Sequence, residues 1–446
     1  MTSTGTRVLA SLRTRNFRLF ASGQLVSVAG TWMMVVAQDW LVLEMTGDSG
    51  TALGVVTVLQ FTPVLLFTLY GGRLADRYDK RTLLMLANGA SGVLALVLAS
   101  LVLTEVVELW YVYCFAFALG LVNAVEVPAR MSFVSELVGP ALLPNASALS
   151  AAYFNVARVA GPALAGLLIS QWGAGWVMLA NGLSYVATVV ALRLMRPAEL
   201  HRARRTDRSG VGDGLRYLAG RRDLVVTLSL VAVVAVFGMN FQLTLPLLAR
   251  TVFHADATTF GLVTAAFAVG SLLAALSGTL RRRRPSARLV VTSAALFGVS
   301  EAAVGWAPTL PSVVFLLFVT GFTTTYFAQA ANHRVQLGSD PGFRGRVMAL
   351  YTLILQGSAP LGALLIAWIS EQSGVRTGFV VGGLVSLAAA GAAIPGERFG
   401  RRLAGGGLAA EEEAAGTAPE GKLPVARHDR PPSSSSEHTP RDGVSS

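Results

Sequence analysis

Charge and cysteine are both scarce in this chain. Of its 446 residues, 14% are charged and 53% hydrophobic, and Cys114 is the only cysteine. A single thiol excludes an intrachain disulfide and any cysteine metal cluster. The five histidines, at positions 201, 254, 333, 428 and 438, fall at no metal-ligand spacing, and His-Glu-x-x-His does not occur. His333 stands beside Arg334 at the end of an apolar run, where a structural role fits it. No Gly-x4-Gly-Lys-Ser/Thr phosphate loop supports ATP hydrolysis, and no Gly-x-Ser-x-Gly elbow marks a hydrolase. Neither a cofactor nor a metal is implied, and the chain does not read as an enzyme.

What fills the chain instead is apolar sequence. Mean hydropathy is +0.57, far above that of a soluble domain of this length. Twelve apolar windows recur, at 17–43, 51–71, 82–104, 109–129, 146–171, 175–195, 224–249, 258–280, 289–306, 311–333, 347–370 and 377–395. Each can cross about 30 Å of hydrocarbon as a helix. None shows the period-2 segments of about ten residues that a membrane barrel requires, so the spans are read as helical. A signal peptide is not expected. The first 16 residues are polar, with Arg7, Arg13 and Arg15, and the run after them is long and lacks an evident cleavage site.

The net charge of +11 is a matter of placement. With the N-terminus in the cytoplasm, Lys and Arg fall inside, except for Arg250 and Arg376 in outward loops and Arg158 within a span, while the outward turns carry Glu44, Asp48, Glu105, Glu108, Asp256 and Glu371. That is the positive-inside bias of a multi-pass protein with both termini cytoplasmic, and it removes the case for a nucleic-acid partner. The turns are short except at 196–222, a polar, arginine-dense linker that divides the spans six and six, 17–195 before it and 223–395 after. Two six-helix repeats related by an axis along the membrane normal would give this division. Residues 1–16 form a cytoplasmic segment, and 396–446 read as a disordered cytoplasmic tail with room for a short helix around Leu408 to Ala415.

Between the second and third windows lies "GRLADRYDKR", from Gly72 through Asp76, Arg77, Asp79 and Lys80 to Arg81. A glycine permits close backbone approach there, and a boundary carboxylate can accept from the positive N-terminus of a neighbouring helix. The turn resembles the signature turn of the major facilitator superfamily, with Asp79 standing where a glycine is usual, and its form is similar to the siderophore-exporter and macrolide-efflux branch. The resemblance implies that Asp76, Arg77 and Lys80 form a latch between two halves, closed against the start of the eleventh span near "FRGRVMALY" and broken as the protein alternates. The same charges would also serve as a plain positive-inside loop. In the fifth window, "NVARVAGPALAGLLI" carries Gly161, Pro162 and Gly166, which resemble the Gly-Pro element of the family's antiporters, although Ala157 and Ala165 replace customary glycines. Proline removes a helix hydrogen bond and small residues admit a neighbouring helix; a generic packing face is the other reading.

Ionisable groups inside spans are functional candidates by default. Arg158 lies near mid-membrane, where an arginine costs between about 2.5 and more than 10 kcal/mol, so it requires a partner. Three acids lie within spans: Asp39, Glu126 and Glu301. Asp39 is the favoured proton-coupling acid, in exchange with Arg158, with a static ion pair or an outer-surface position as its other readings; Glu126 can pair locally with Arg130, or, as the resemblance implies, meet Lys80 or Arg81; Glu301 belongs to a helix that is peripheral in the resembled fold. Trp32, Gln38, Asn240, Gln242, Tyr326 and Gln356 are candidate lining of a mainly apolar cavity, with helix-helix contact as their other role. "GTLRRRRPSARL" at 278–289 is a weakened counterpart of the gating turn that has lost its acid, so Arg281 to Arg284 are expected to fix topology and touch anionic lipid. The fold class implied is an all-α membrane protein of two six-helix bundles. The function implied is a secondary transporter of the bacterial plasma membrane, a monomer, exporting an amphipathic small molecule, drug or siderophore-like, in exchange for protons. An importer or lipid flippase of the same fold, and a non-transporting membrane sensor, are the competing readings.

Overall fold

A computed structural model describes residues 10–201, 216–279, 284–340 and 343–394. The tail, the short helix expected in it and much of the linker lie outside the described residues. Secondary structure is helical throughout the described residues. We number the helices α1 (Arg15–Thr46), α2 (Gly50–Arg77), α3 (Lys80–Leu103), α4 (Leu109–Trp172), α5 (Ala174–Arg193), α6 (Arg222–Phe237), α7 (Phe241–Leu247), α8 (Ala257–Thr279), α9 (Ala287–Trp306), α10 (Leu310–Gly338), α11 (Arg344–Ser373) and α12 (Val375–Ile394). Counting α6, α7 and the π turn Leu248–Val252 as one run, eleven helices among the described residues are long and apolar enough to cross a membrane.

Local chemistry sets the boundaries. Ser49, Asp79 and Ser286 cap α2, α3 and α9, each accepting from the amide three residues on, at 3.2, 2.9 and 3.2 Å. Gly47 closes α1 in the left-handed region (φ 62°), which costs a glycine little. α4 is a 64-residue run interrupted at Gly139 (φ 70°, ψ 174°), just before Pro140. A straight helix of that length would reach about 96 Å, three times the hydrocarbon thickness, so the interruption separates two arms of spanning length. The window read as one continuous span at 224–249 also differs: α6 stops at Phe237, residues 238–240 leave the helix, and α7 restarts at Phe241. Gly238 has low helix propensity, and Pro246 lacks an amide to donate within α7, so this stretch is poorly committed to continuous helix.

Close packing then fixes the neighbours. A methyl group on Gly71 would sit 2.0 Å from the Ala124 carbonyl, and one on Gly321 would sit 2.0 Å from the Phe267 carbonyl. Thus α2 meets the first arm of α4 as α8 meets α10, backbone to backbone. Between the chain's first half (α1–α5) and second half (α6–α12), Gly166 on the second arm of α4 faces Gly261 on α8, and Gly54 on α2 lies against Ala363 and Ala367 on α11. Small residues allow this approach where lipid supplies no hydrophobic drive between helices. Outward faces are apolar, with Leu66, Met131, Phe315 and Leu361 exposed, as lipid contact requires. Cys114 is exposed on the first arm of α4.

Gly72, expected to provide the close approach of the gating turn, has nothing near it; its neighbour Gly71 provides it instead. One residue is a rotation of about 100° on a helix, so Gly72 points away from α4. Gly71→Ala should therefore lower the thermal unfolding midpoint of the detergent-solubilised protein, by an overpacking cost of about 1–3 kcal/mol. Gly72→Ala should leave that midpoint in place.

Candidate functional site

The charged turn between α2 and α3 is tied to its own half. Asp79 caps α3 through the Thr82 amide and hydroxyl (2.9 and 2.8 Å). Lys80 pairs with Glu136 at the end of the first arm of α4. Arg81 donates to the Leu192 and Arg193 carbonyls (2.7 and 3.1 Å), satisfying the open end of α5. Arg77 lies 5.8 Å over the Tyr78 ring. Asp76 is exposed and makes no hydrogen bond or ion pair among the described residues. Glu126 pairs with Arg130 at 2.9 Å, one turn along the same helix.

The counterpart turn in the second half keeps an acid after all, supplied from elsewhere in the chain. Arg284 donates to Asp223 in the first turn of α6 (2.9 Å), and Asp223 also accepts from Arg221 (3.1 Å), which holds the Gly338 carbonyl (2.9 Å). The expectation that Arg284 only fixes topology and touches lipid is thereby corrected; Arg281–Arg283 lie outside the described residues. A local reading of 278–289 misses this acid because it lies some 60 residues earlier in the chain.

On the opposite, acidic face two polar clusters cross between the halves. Asp48, between α1 and α2, pairs with Arg250 (2.5 Å), whose guanidinium lies 4.7 Å over Trp40. Glu371, near the end of α11, accepts from the Ser49 hydroxyl (2.8 Å), the Thr51 amide (3.1 Å) and the Thr51 hydroxyl at the start of α2. A carboxylate there meets orphan amides and the positive end of the helix dipole. Trp40 also stacks on Phe260 of α8 (6.4 Å), so aromatic surface backs the polar closure.

Beneath this closure lies a cavity of about 280 Å³, lined by α1, the second arm of α4, α7, α8 and α10. Its charged groups are Asp39 and Arg158. Asp39 is 3% exposed and its Oδ2 has no hydrogen-bond partner among the described residues. Arg158 pairs with none of the three span acids; its guanidinium lies 5.6 Å over the Trp32 ring, a cation–π contact in place of the expected ion pair. Gly161 makes this possible, because a side chain there would fall 2.6 Å from Trp32 Cβ. Pro162, four residues after Arg158, lines the cavity and leaves the Arg158 carbonyl without its usual helix donor.

Of the expected lining residues, Trp32 and Gln242 face the cavity. Gln38 is buried, Asn240 donates to the Val236 carbonyl (2.7 Å), Tyr326 stacks on Phe322, and Gln356 is absent from the lining. The lining missed by sequence reasoning is the α8 stripe Phe260, Thr264 and Phe267. Its i, i+4, i+7 spacing was the available signal. Glu301 lies elsewhere, buried between α9, α12 and the end of α6.

An all-helical membrane fold around a cavity with Asp39 and Arg158 in its wall is the architecture of a solute transporter. The chain belongs to the transmembrane secretion effector family of the major facilitator superfamily, whose model matches residues 6–398. It is similar to the multidrug efflux pump Tap of Mycolicibacterium fortuitum, 26% identical over 81% of this chain and 90% of that one. It is also similar to the staphyloferrin A transporter of Staphylococcus aureus, 24% identical over 83% and 93% of the two chains. Its fold matches a bacterial homologue of the human lysosomal transporter Spinster, solved inward-facing and unoccupied, at a TM-score of 0.68 and 15% identity over 89% and 98% of the chains.

If the acidic-face clusters close the cavity, weakening them should admit reagents from that side. In a Cys114→Ala background, Asp48→Ala or Arg250→Ala should raise the rate at which an impermeant maleimide reaches Gln242→Cys. The exchanged pair D48R/R250D should return it towards the parent value.

Proposed function

We propose that the chain is a proton-coupled exporter of an amphipathic small molecule, drug or siderophore-like. Two six-helix bundles, 17–195 and 223–395, joined by the linker 196–222, rock about the central cavity so that it opens to each side in turn. The interruption of α4 at Gly139 supports counting twelve spans, which returns both termini to the cytoplasmic side of the plasma membrane, where the basic residues gather. The segment 1–16 and the tail 396–446 lie on that side.

The observation that carries the reading is the unpartnered Asp39 carboxyl in an apolar cavity shared with Arg158. A carboxylate isolated at that depth is stable only if it takes a proton or a cationic group, so proton and substrate compete for one site. Arg158, held by Trp32 rather than by Asp39, is free to receive an anionic or acceptor group on the same substrate. Phe241, Phe260 and Phe267 supply apolar surface for the remainder. The kinship with a multidrug efflux pump supports the outward direction.

The gating turn fits the same cycle. The crossing clusters on the acidic face and the exposed Asp76 on the opposite face support assigning this conformation to the cytoplasm-facing half of the cycle. In the other half Asp76 caps the N-terminus of α11 while Glu371 leaves that of α2.

Proton movement in proteoliposomes carrying an interior pH dye, with a panel of amphipathic compounds, tests the proposal. Substrate-dependent flux should be present in the wild type and abolished by Asp39→Asn in a folded protein; flux unchanged in that variant sinks the role of Asp39. Uptake into vesicles of known orientation separates export from import. Asp76→Asn should slow turnover with insertion intact, and a fully active variant removes the latch.

A further inference from the structure

Glu301 is as deeply buried as Asp39, 3% exposed, yet it lies outside the cavity. Its Oε2 has no hydrogen-bond partner among the described residues. Two glycines mark what surrounds it. A methyl group on Gly238 would stand 2.8 Å from Glu301 Oε2, and one on Gly382 of α12 would stand 2.9 Å from Oε1 and 2.6 Å from the Phe237 carbonyl oxygen. The carboxyl group is therefore set against the C-terminal end of α6, the negative end of that helix dipole.

That helix end is where the backbone breaks. The amides of Gly238 and Met239 both turn back to the Val234 carbonyl (2.8 and 3.2 Å), so the Ala235 carbonyl loses the donor a continuous helix would give it. The Asn240 side chain covers the Val236 carbonyl (2.7 Å). The Phe237 carbonyl, next in the series, faces Gly382 on the side where Glu301 lies. Of the charged and titratable groups on the surrounding helices, Arg222 and Asp223 are at the far end of α6, Arg288 at the start of α9, His333 and Arg334 near the end of α10, Arg344 and Arg346 at the start of α11 and Glu371 near its end. Arg376 on α12 is held at the Gly305 carbonyl (3.5 Å) and over Phe253 (5.9 Å). An ionised carboxylate facing released carbonyls without a cation beside it is unfavourable on every count. A hard metal cation would require more oxygen ligands than one carboxyl and a carbonyl or two. A proton requires only these.

We propose that Glu301 is a second proton-binding site, remote from the substrate cavity, whose protonated carboxyl donates its O–H to a carbonyl released by the α6–α7 break and so stabilises that break. The consequence reaches the cavity because Met239 in the break, and Phe241, Gln242, Leu245 and Pro246 of α7, form part of its wall. When the proton leaves to water, carboxylate and carbonyls repel, and the break rearranges together with that wall. This site goes beyond the role proposed for Asp39 and stands or falls independently of it.

Infrared pH-difference spectroscopy of the full chain in liposomes reads the proton directly and needs no substrate. In an Asp39→Asn background, which takes away the other buried acid, a protonated-carboxyl C=O band should be present and should disappear when Glu301→Gln is added; Glu301→Asp in the same background should shift it rather than remove it, which covers failure of the glutamine variant to fold. An unchanged band in both Glu301 variants overturns the proposal. In a C114A/D39N background, the accessibility of Gln242→Cys, read as its maleimide labelling rate divided by that of the same cysteine in the denatured protein at each pH to remove the thiol's own ionisation, should depend on pH, and Glu301→Gln, which keeps a donor, should hold that ratio at its low-pH value. Retention of the full pH dependence in that variant would equally overturn it.

Discussion

Inside hydrocarbon, every backbone amide and carbonyl has to find its partner within the chain, and the rest of this structure depends on that requirement. It makes the spans helical, and it gives each departure from helix a local remedy. Gly139 breaks α4 just past the Lys80–Glu136 pair, with the His201 amide donating to the Glu136 carbonyl (2.8 Å). The break between α6 and α7 has no such neighbour. Asn240 repairs part of it, and buried Glu301 lies against the remainder.

Packing follows a second division. Within each half, α2 against α4 and α8 against α10 touch at glycines with no room for a side chain. Between the halves, α4 meets α8 at Gly166 and Gly261, and α2 meets α11 along Gly54 and the alanines opposite it. Smooth, small-residue seams lose little when two rigid bodies slide or tilt, whereas interlocked side chains would have to disengage. The polar crossings sit at one end of those seams, as Asp48 with Arg250 and as Glu371 with the start of α2. The charged and polar contacts that cross between the halves are thus gathered at the rim rather than along the seam.

Hydropathy alone located nearly all of the membrane-embedded helix, because a span of about 20 apolar residues is a coarse and redundant signal. It could not distinguish two windows on one interrupted run from two separate helices, as at 109–129 and 146–171, and it did not register the stop at Phe237. Charged residues were legible as exceptions, but their partners were not. Arg158 required something, and the sequence offered three acids; the fold gave it Trp32. Arg284 has no acid in its own turn, and Asp223 reaches it from another helix. Gly72 and Gly71 are equivalent in composition and are separated only by helical phase. Partner choice depends on the relative rotation of helices, which a single sequence records only where periodicity is strong, as along Phe260, Thr264 and Phe267.

The scarcity of cysteine has a practical side. Cys114 is exposed on the first arm of α4 and does not line the cavity. A fluorophore or spin label can be placed on the native chain at one defined position in its first half without removing any other thiol. One added cysteine in the second half then gives an inter-label distance across the seam, so opening and closing can be followed as a length.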